Sequence, residues 1–597
     1  MKREANKFSM ISAAVFAAAL AGASASAFAA SSYDTELAGF HQKNGQTCQS
    51  CHANGMEVSD SETEINKQCV SCHGPLEKLA SGKKPDPHAS HLGTIQCTTC
   101  HSGHAPSQSY CLSCHDFDMK IPFGAQKKTS FSWKDLASYK DAAPVRTEMA
   151  DIVVVGSGAA GFTAAMEAHA RGVKNIVILE KMPIPGGNSQ LAAGGMNAAG
   201  SVYQKAKGIQ DSPELMAKDT MKGGKNISNP DLVKIFAEDS AESIQWLKDR
   251  GAELENVAQG GGASAPRMHG PKGGKAVGPY LSAFFRKEIE KLPGVDLRLN
   301  SRLVKLITGP DGSVTGVLVE GKHSGIYQIN AKAVVLATGG LGANKELVHK
   351  YLPKLDPATK TSNQPGTTGD GMYLAEQAGA ALVDMKEIQL NPTLLVGSPV
   401  IISETVRGQG AIFVNREGKR FISELTTRDV TSAAVSKQTG GTAFEIFDDG
   451  TRSRVAQLQA CFELGLVKEG NSPQELGKAA GIDGEALAAT IKRFNGYVDG
   501  GKDPDFGHPK PTFKLTGPKF YAIEITPAIH YAMGGIKFNG KTEVIDVNGK
   551  VIKGLYAAGE TTGGLHGKNR LGGNSVSETI TFGRIAGDAA ASAVLGK

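Results

Sequence analysis

Four Cys-x-x-Cys-His motifs stand near the start of the chain, at Cys48–Cys51–His52, Cys69–Cys72–His73, Cys97–Cys100–His101 and Cys111–Cys114–His115. In each, two thiols can bond the vinyl groups of a porphyrin and the adjoining histidine can ligate its iron, so each reads as an attachment site for c-type haem. Four irons held on both faces need four further ligands. The sequence before Met119 offers just four other histidines, His41, His88, His91 and His104, so eight imidazoles match four irons, with the pairing left open. Structural zinc and a set of disulfides are the alternatives. Neither accounts for a histidine directly after the second cysteine four times over, nor for the histidine tally.

A second chemistry begins at Asp151-Ile-Val-Val-Val-Gly156-Ser-Gly158-Ala-Ala160-Gly161. An apolar run enters Gly-x-Gly-x-x-Gly, a helical stretch follows over 162–171, and a second apolar run, 175–179, ends in Glu180. That order is the dinucleotide fingerprint: glycines let the backbone approach a pyrophosphate at a helix N-terminus, and the acid accepts hydrogen bonds from ribose hydroxyls. The block 186–197, with Asn188, Ser189, Gly194 and Gly195, suits close backbone approach to a flat cofactor, although alone it is only a glycine-rich loop. Two more apolar runs end in glycine, at Thr338-Gly339-Gly340 and Gly559-Glu560. A nucleotide-binding sheet would bring them to the same crevice.

These groups need elements to position them. At the N-terminus Lys2, Arg3 and Lys7 precede an apolar run from Met10 and the small-x-small site Ala27-Phe28-Ala29, so 1–29 reads as an export signal and the periplasm as the destination. No later stretch approaches the ~20 continuous apolar residues of a membrane span. Loss of three basic residues and Glu4 with the leader lowers the formal charge from +6 to +4, too mild to imply nucleic acid. Residues 30–120 form the cytochrome domain, 121–148 a linker with one helix around 133–139. With 40% hydrophobic residues and 73 glycines, the remainder is large enough for two or more domains. Cys461, the one cysteine outside the motifs, reads as a small core residue.

The chain resembles the soluble tetrahaem flavocytochrome c fumarate reductases, whose flavoprotein fold is shared with succinate dehydrogenase. The resemblance rests on 191–199, Thr-Met-Lys-Gly-Gly (220–224), Gly-Asp370-Gly, Glu404-Thr-Val-Arg407-Gly, Asn415-Arg-Glu-Gly-Lys-Arg-Phe, Thr427-Arg428-Asp429, His530 before Met533-Gly-Gly, and Asn569-Arg570-Leu-Gly-Gly-Asn574-Ser575. It implies a multidomain protein: an N-terminal tetrahaem cytochrome c domain, then an α/β Rossmann-like FAD-binding domain (149–384 and 527–597) with an inserted α+β clamp domain (385–526). One FAD and four covalent haems c are the implied cofactors. Membrane-bound relatives attach FAD to a histidine where Ser189 stands here, so the FAD is expected to be non-covalent. Its implied contacts are Gly156, Gly158, Ala160, Gly161, Glu180, Lys181, Asn188, Ser189, Gly194, Gly195, Val304, Asp370, Glu560, Arg570, Asn574 and Ser575.

By the same resemblance an activated double bond lies against the flavin, hydride reaches the β-carbon, and Arg428 protonates the α-carbon. Glu404 and Arg407 match a relay that reprotonates Arg428. A guanidinium, with a pKa above ~12, needs such a base beside it to serve as an acid. His530 and Arg570 match carboxylate-binding residues. Electrons are expected from a membrane-anchored quinol-oxidising cytochrome or another periplasmic donor, and with no quinone site or anchor evident the expectation is a monomer.

One end of the substrate site departs from the family. Where fumarate reductases carry a histidine before Pro-Thr-Leu, this chain has Asn391; pocket methionines are matched by Ile401 and a position in 259–261, and a threonine by Ser403. Asparagine donates a hydrogen bond but carries no charge. The readings are therefore a fumarate reductase with an altered clamp, a reductase of another 2-enoate such as methacrylate, acrylate, cinnamate or urocanate, or a multihaem carrier without enoate turnover.

Overall fold

The computed structural model describes residues 36–82, 85–115, 119–124, 133–509 and 511–597. The leader expected at 1–29 and part of the expected linker lie outside the described residues. No helix among the described residues is long and apolar enough to cross a membrane.

The cytochrome domain is built from short helices, the longest Thr63–His73. Among the described residues from 36 to 124, Leu76 is the one hydrophobic side chain that is buried. Side chains alone do not fill such an interior, which suits a domain whose core is completed by porphyrins.

The cofactor domain is organised by the strand Thr147–Val155. It pairs in parallel with Ile176–Leu179 on one side and Gly325–Leu336 on the other. Ile152 to Val155 are all buried, the continuous apolar run of a strand covered on both faces. The full order runs Glu543–Ile545, Val551–Ala557, Gly325–Leu336, Thr147–Val155, Ile176–Leu179, Val295–Arg298, with Ser301–Thr308 and Val314–Gly321 as an antiparallel extension. The helix Ala159–Ala170 follows the first strand and is buried nearly all round, so it is Ala-rich rather than amphipathic. Gly156, at φ 102°, turns the chain between them, and a Cβ there would lie 2.3 Å from the Ala337 carbonyl oxygen. The C-terminal helix Asn574–Leu595 packs along Ala159–Ala170 and closes the domain.

Between these halves lies a five-stranded antiparallel sheet: Ile388–Leu395, Phe520–Ala532, Ala443–Asp448 and Ile412–Val414, with Val467–Gly470 also on the Phe520–Ala532 strand. Alternation along these strands is strict. Ile412, Val414, Phe444 and Ile446 pack against Leu487, Ile491 and Phe494 on one face, whereas Phe413, Ala443 and Phe447 face Val406, Val435 and Cys461 on the other. The long strand Phe520–Ala532 carries His530, stays paired with Ile388–Leu395 to its end, and packs Ile529 and Ala532 into the core of the cofactor domain, so it joins the two.

The cytochrome domain docks through Asp60 and Glu62. The Asp60 carboxylate accepts from the backbone N–H groups of His323 (2.7 Å) and Ser324 (2.9 Å), and from Ser324 Oγ (2.5 Å). Glu62 accepts from Lys322 Nζ at 2.8 Å and lies 2.9 Å from His323 Nε2. A second seam joins Gln190 Nε2 to the Leu92 carbonyl at 3.1 Å.

Candidate functional site

In the cytochrome domain the histidines come together in twos. The ring-centre separations are 6.0 Å for His41 and His73, 6.0 Å for His52 and His104, 6.4 Å for His88 and His101, and 6.1 Å for His91 and His115. Each pair joins one motif histidine to one free histidine. Metal–imidazole bonds of about 2 Å on either side of an iron, plus about 1 Å from nitrogen to ring centre, give roughly 6 Å, so the spacing fits axial ligation. The motif cysteines are unbridged, and no group of three or more His, Cys, Asp or Glu suited to a metal occurs among the described residues. The imidazoles among the described residues thus stand in twos, a spacing that suits two-sided ligation of an iron.

A cavity of about 760 Å³ connects this domain to the rest of the site. His91, Cys111, Cys114 and His115 line one end; the glycine turn, Glu180 and Lys181 line its middle; Asn391, His530, Arg428 and Arg570 line the other. Gly158 opens the helix Ala159–Ala170 toward it, and Ser189 Oγ accepts from Ala159 N at 3.0 Å. The Glu180 carboxylate is fixed by Ser157 N (3.1 Å), Ser157 Oγ (2.6 Å) and Met182 N (2.9 Å). A glycine turn, a helix N-terminus and an oriented acid fit the diphosphate and ribose of FAD. Ala160, Asn188, Ser189, Gly194, Gly195, Asp370, Glu560, Arg570 and Ser575 also line the cavity. Asp370 is engaged by Lys181 and Arg302, each at 3.1 Å; burial pushes its carboxyl up, but the two cations outweigh this and hold it below the usual carboxylate range. Glu560 accepts from Ala532 N (3.1 Å) and Asn188 Nδ2 (3.2 Å), and burial pushes its carboxyl up to about 7.

Three of the expected contacts stand off the wall. Gly161 packs the helix on the turn, where a Cβ would lie 1.9 Å from the Gly156 carbonyl oxygen. Val304 is buried in the sheet core beside Leu303, which does reach the cavity. Asn574 is engaged with Asn197 Nδ2 at 2.7 Å and with Thr220 Oγ1 at 3.2 Å. His566 is also away from the cavity, 2.9 Å from Glu578 Oε2.

At the clamp end, Glu404 and Arg407 lie on the helix Glu404–Gly408, and Arg428 opens the helix Arg428–Ser436. Arg428 Nε donates to Glu404 Oε1 at 3.0 Å, and Arg407 Nη2 lies 3.5 Å from the same oxygen. Burial pushes the Glu404 carboxyl up, but Arg428 and Arg407 prevail and keep it below the usual range. Arg407 is 1% exposed, lies behind Glu404, and has its guanidinium pushed down by burial. Arg428 Nη1 donates to Gln389 Oε1 at 3.1 Å, which leaves Nη2 without an acceptor among the described residues. Arg570 is pushed down to about 10 by burial, with the Arg428 charge adding to the effect. His530 has its Nδ1 2.8 Å from Ser362 Oγ; burial, then Arg428 and Arg570, push it well below its ordinary value, so the ring is neutral.

Asn391 is buried on the strand Ile388–Leu395, and its Oδ1 accepts from Thr393 N and Thr393 Oγ1, both at 3.0 Å. The Thr393 N–H can only donate, so the atom facing it is the amide oxygen. Nδ2 has no acceptor among the described residues, and Asn391 lines the cavity. Ser403 caps its helix by accepting from Thr405 N at 3.1 Å and also lines the wall, as does Ile401.

Gln389 was not evident from the sequence. Besides holding Arg428, it donates to the Arg570 carbonyl at 2.7 Å and to Asn569 Oδ1 at 2.8 Å, so one amide ties the two arginine segments together. Its position two residues before Asn391, on the same face of the strand, was the available signal.

The FAD binding domain family model matches residues 151–576, and the cytochrome c3 model matches 40–116. The chain is 48% identical over 569 residues to a fumarate reductase (cytochrome) of Shewanella frigidimarina, covering 93% of this chain and 98% of that one. It is 45% identical over 567 residues to the probable fumarate reductase Ifc3 of Shewanella frigidimarina (strain NCIMB 400), covering 94% and 96%. Among solved structures, an open conformation of a flavocytochrome c3 fumarate reductase superposes with TM-score 0.78 at 44% identity, covering 94% of this chain and all of that one.

Proposed function

From the premise that this chain belongs to the flavocytochrome c fumarate reductase family, oxidoreductases acting on the CH–CH group, we propose that it reduces the C=C bond of fumarate to give succinate in anaerobic respiration. When bound, a single non-covalent FAD supplies the hydride, and four covalent haems c feed it electrons one at a time. His41 with His73, His52 with His104, His88 with His101, and His91 with His115 would hold the haem irons. The protein works in the periplasm as a monomer, supplied by a quinol-oxidising cytochrome or another periplasmic donor.

The observation that carries the reading is the chain of contacts Arg428–Glu404–Arg407 at the clamp end of the cavity. Arg428 Nη2, free of protein acceptors, holds the proton for the α-carbon, and Glu404 passes its replacement from Arg407. Arg570 and the neutral His530 bind substrate carboxylate; charged hydrogen bonds fix the double bond in line with the proton. An electron carrier would need no such buried relay.

A second reading is favoured by Asn391. Its fixed amide offers one neutral donor, and Ile401, which lines the same cavity, is apolar, which suits a 2-enoate with an uncharged far end. Steady-state oxidation of reduced methyl viologen, run in parallel with fumarate, methacrylate, cinnamate and urocanate, separates the two. Turnover selective for fumarate is expected. Preference for a monocarboxylate or urocanate would overturn the fumarate assignment, and absence of turnover with all four would overturn the enoate reading.

A further inference from the structure

Each turnover takes one proton from Arg428, and Arg407, the last group of the relay, is 1% exposed. A further group must stand between it and water. Glu445 lies on the strand Ala443–Asp448 with 0% exposure, and neither of its carboxylate oxygens has a hydrogen-bond partner among the described residues. It stands two residues from both Ala443 and Phe447 and shares their face, so it faces the cluster that contains Val406 and Cys461. Its cross-strand neighbour is Phe413. Directly opposed residues share a face, and the Arg407 guanidinium lies 5.5 Å from the centre of the Phe413 ring. Arg407 Nε and Nη2 are themselves buried without hydrogen-bond partners among the described residues.

Of the other acids near Arg407, Glu404 belongs to the relay and Glu424 is committed. Glu424 accepts from Phe413 N at 3.1 Å and, through both oxygens, from Arg420 at 2.8 Å. Glu445 has no such claim on its lone pairs. Burial pushes its carboxyl up to about 8, with Arg407 pulling down and Glu424 pushing up. Cys461, the remaining ionisable neighbour, lines the cavity; its thiol is pushed up to about 12 by burial and by the Glu445 charge. A buried, unpaired carboxyl is costly for stability, so a role in function is the natural account of it.

Resting on the relay just described, we propose that Glu445 is the proton store behind Arg407. After Arg407 has passed a proton by way of Glu404 to Arg428, the protonated Glu445 gives up its O–H proton and a new N–H bond forms on Arg407. Glu445 is left as the carboxylate and recovers its proton from the side of the cavity that its neighbour Cys461 lines. One proton moves per turnover and no electrons are exchanged in the step.

The test compares Glu445→Gln and Glu445→Asp with the wild-type holoprotein, measuring kcat and KM against pH and in D2O. Glu445→Gln is expected to lower kcat at least ~10-fold at unchanged KM and to abolish the decline in kcat above about pH 8, as loss of a proton-transferring group does. Glu445→Asp, which keeps a carboxyl, is expected to retain more activity than Glu445→Gln. A packing role predicts the reverse order, because the shorter side chain leaves a void. Wild-type kcat and pH profile in Glu445→Gln, or Asp harming more than Gln, would overturn the inference. Arg428→Ala is assayed in parallel: if it is inactive while Glu445→Gln is normal, only the role of Glu445 falls, and if it stays active the relay itself falls.

Discussion

Gly572 lies against the relay carboxylate: a Cβ built on it would stand 2.0 Å from Glu404 Oε2. Glu404 cannot yield easily, since it is buried and held between Arg428 and Arg407. Gly572→Ala should displace the carboxylate and lower kcat by about 100-fold, the cost of roughly ångström-scale misplacement in a catalytic array. The haem spectrum and flavin content should be unchanged, which distinguishes this loss from misfolding.

Asn391→His should restore a second, protonatable donor at the far end of the substrate. Charged hydrogen bonds exceed neutral ones by roughly 1 kcal/mol, so KM for fumarate should fall about fivefold, with kcat little changed and a smaller gain at higher pH. Monocarboxylates should show no such gain. An equal change for both classes would mean that Asn391 does not face the second carboxylate.

Asp60 joins the cytochrome and cofactor domains through three accepted hydrogen bonds. Asp60→Ala leaves donors of His323 and Ser324 unsatisfied at a largely buried seam, at about 1–3 kcal/mol for each donor that water cannot reach. Limited proteolysis should separate the cytochrome domain from the flavoprotein portion faster than in the wild type. Steady-state enoate reduction by a small-molecule dye that reduces the flavin directly should be retained.

Much of this was legible in the sequence because the chemistry is local. A Cys-x-x-Cys-His motif or Gly156-Ser-Gly158-Ala-Ala-Gly161 is read within a few residues, and Ile152 to Val155 announce a buried strand by composition alone. What was not legible arises from long-range approach. The pairing of His91 with His115 depends on how short helices fold back. Gln389 meets Arg570 across 181 positions. Glu445 is an unremarkable residue type, and only its strand face and lack of partners single it out.

Stability should depend on pH through the acids that burial raises. Glu445 is raised from 4.5 to about 8, and Glu560 from 4.5 to about 7. Between those limits the native state binds more protons than the unfolded chain, so stability is fully present below about pH 4.5 for these groups and is lost as pH rises toward 8. Glu404 and Asp370, both lowered, oppose this only in acid, where their contribution is lost as pH falls through their depressed values. Histidines that burial lowers, His530 and His269 among them, oppose the loss below about pH 6.5, so calorimetry should show Tm falling from pH 7 to 9, and Glu445→Gln should flatten that fall. An unchanged slope in the variant would contradict the raised value.

Arg428 is the proposed donor of the proton to carbon. The direct measurement is enoate reduction by Arg428→Ala holoprotein, alongside dithionite reduction of its haems. Loss of turnover by at least ~1000-fold is expected with haem reduction and FAD content unchanged, since removal of a general acid and its relay contact exceeds what binding alone restores. Turnover within tenfold of the wild type would contradict it.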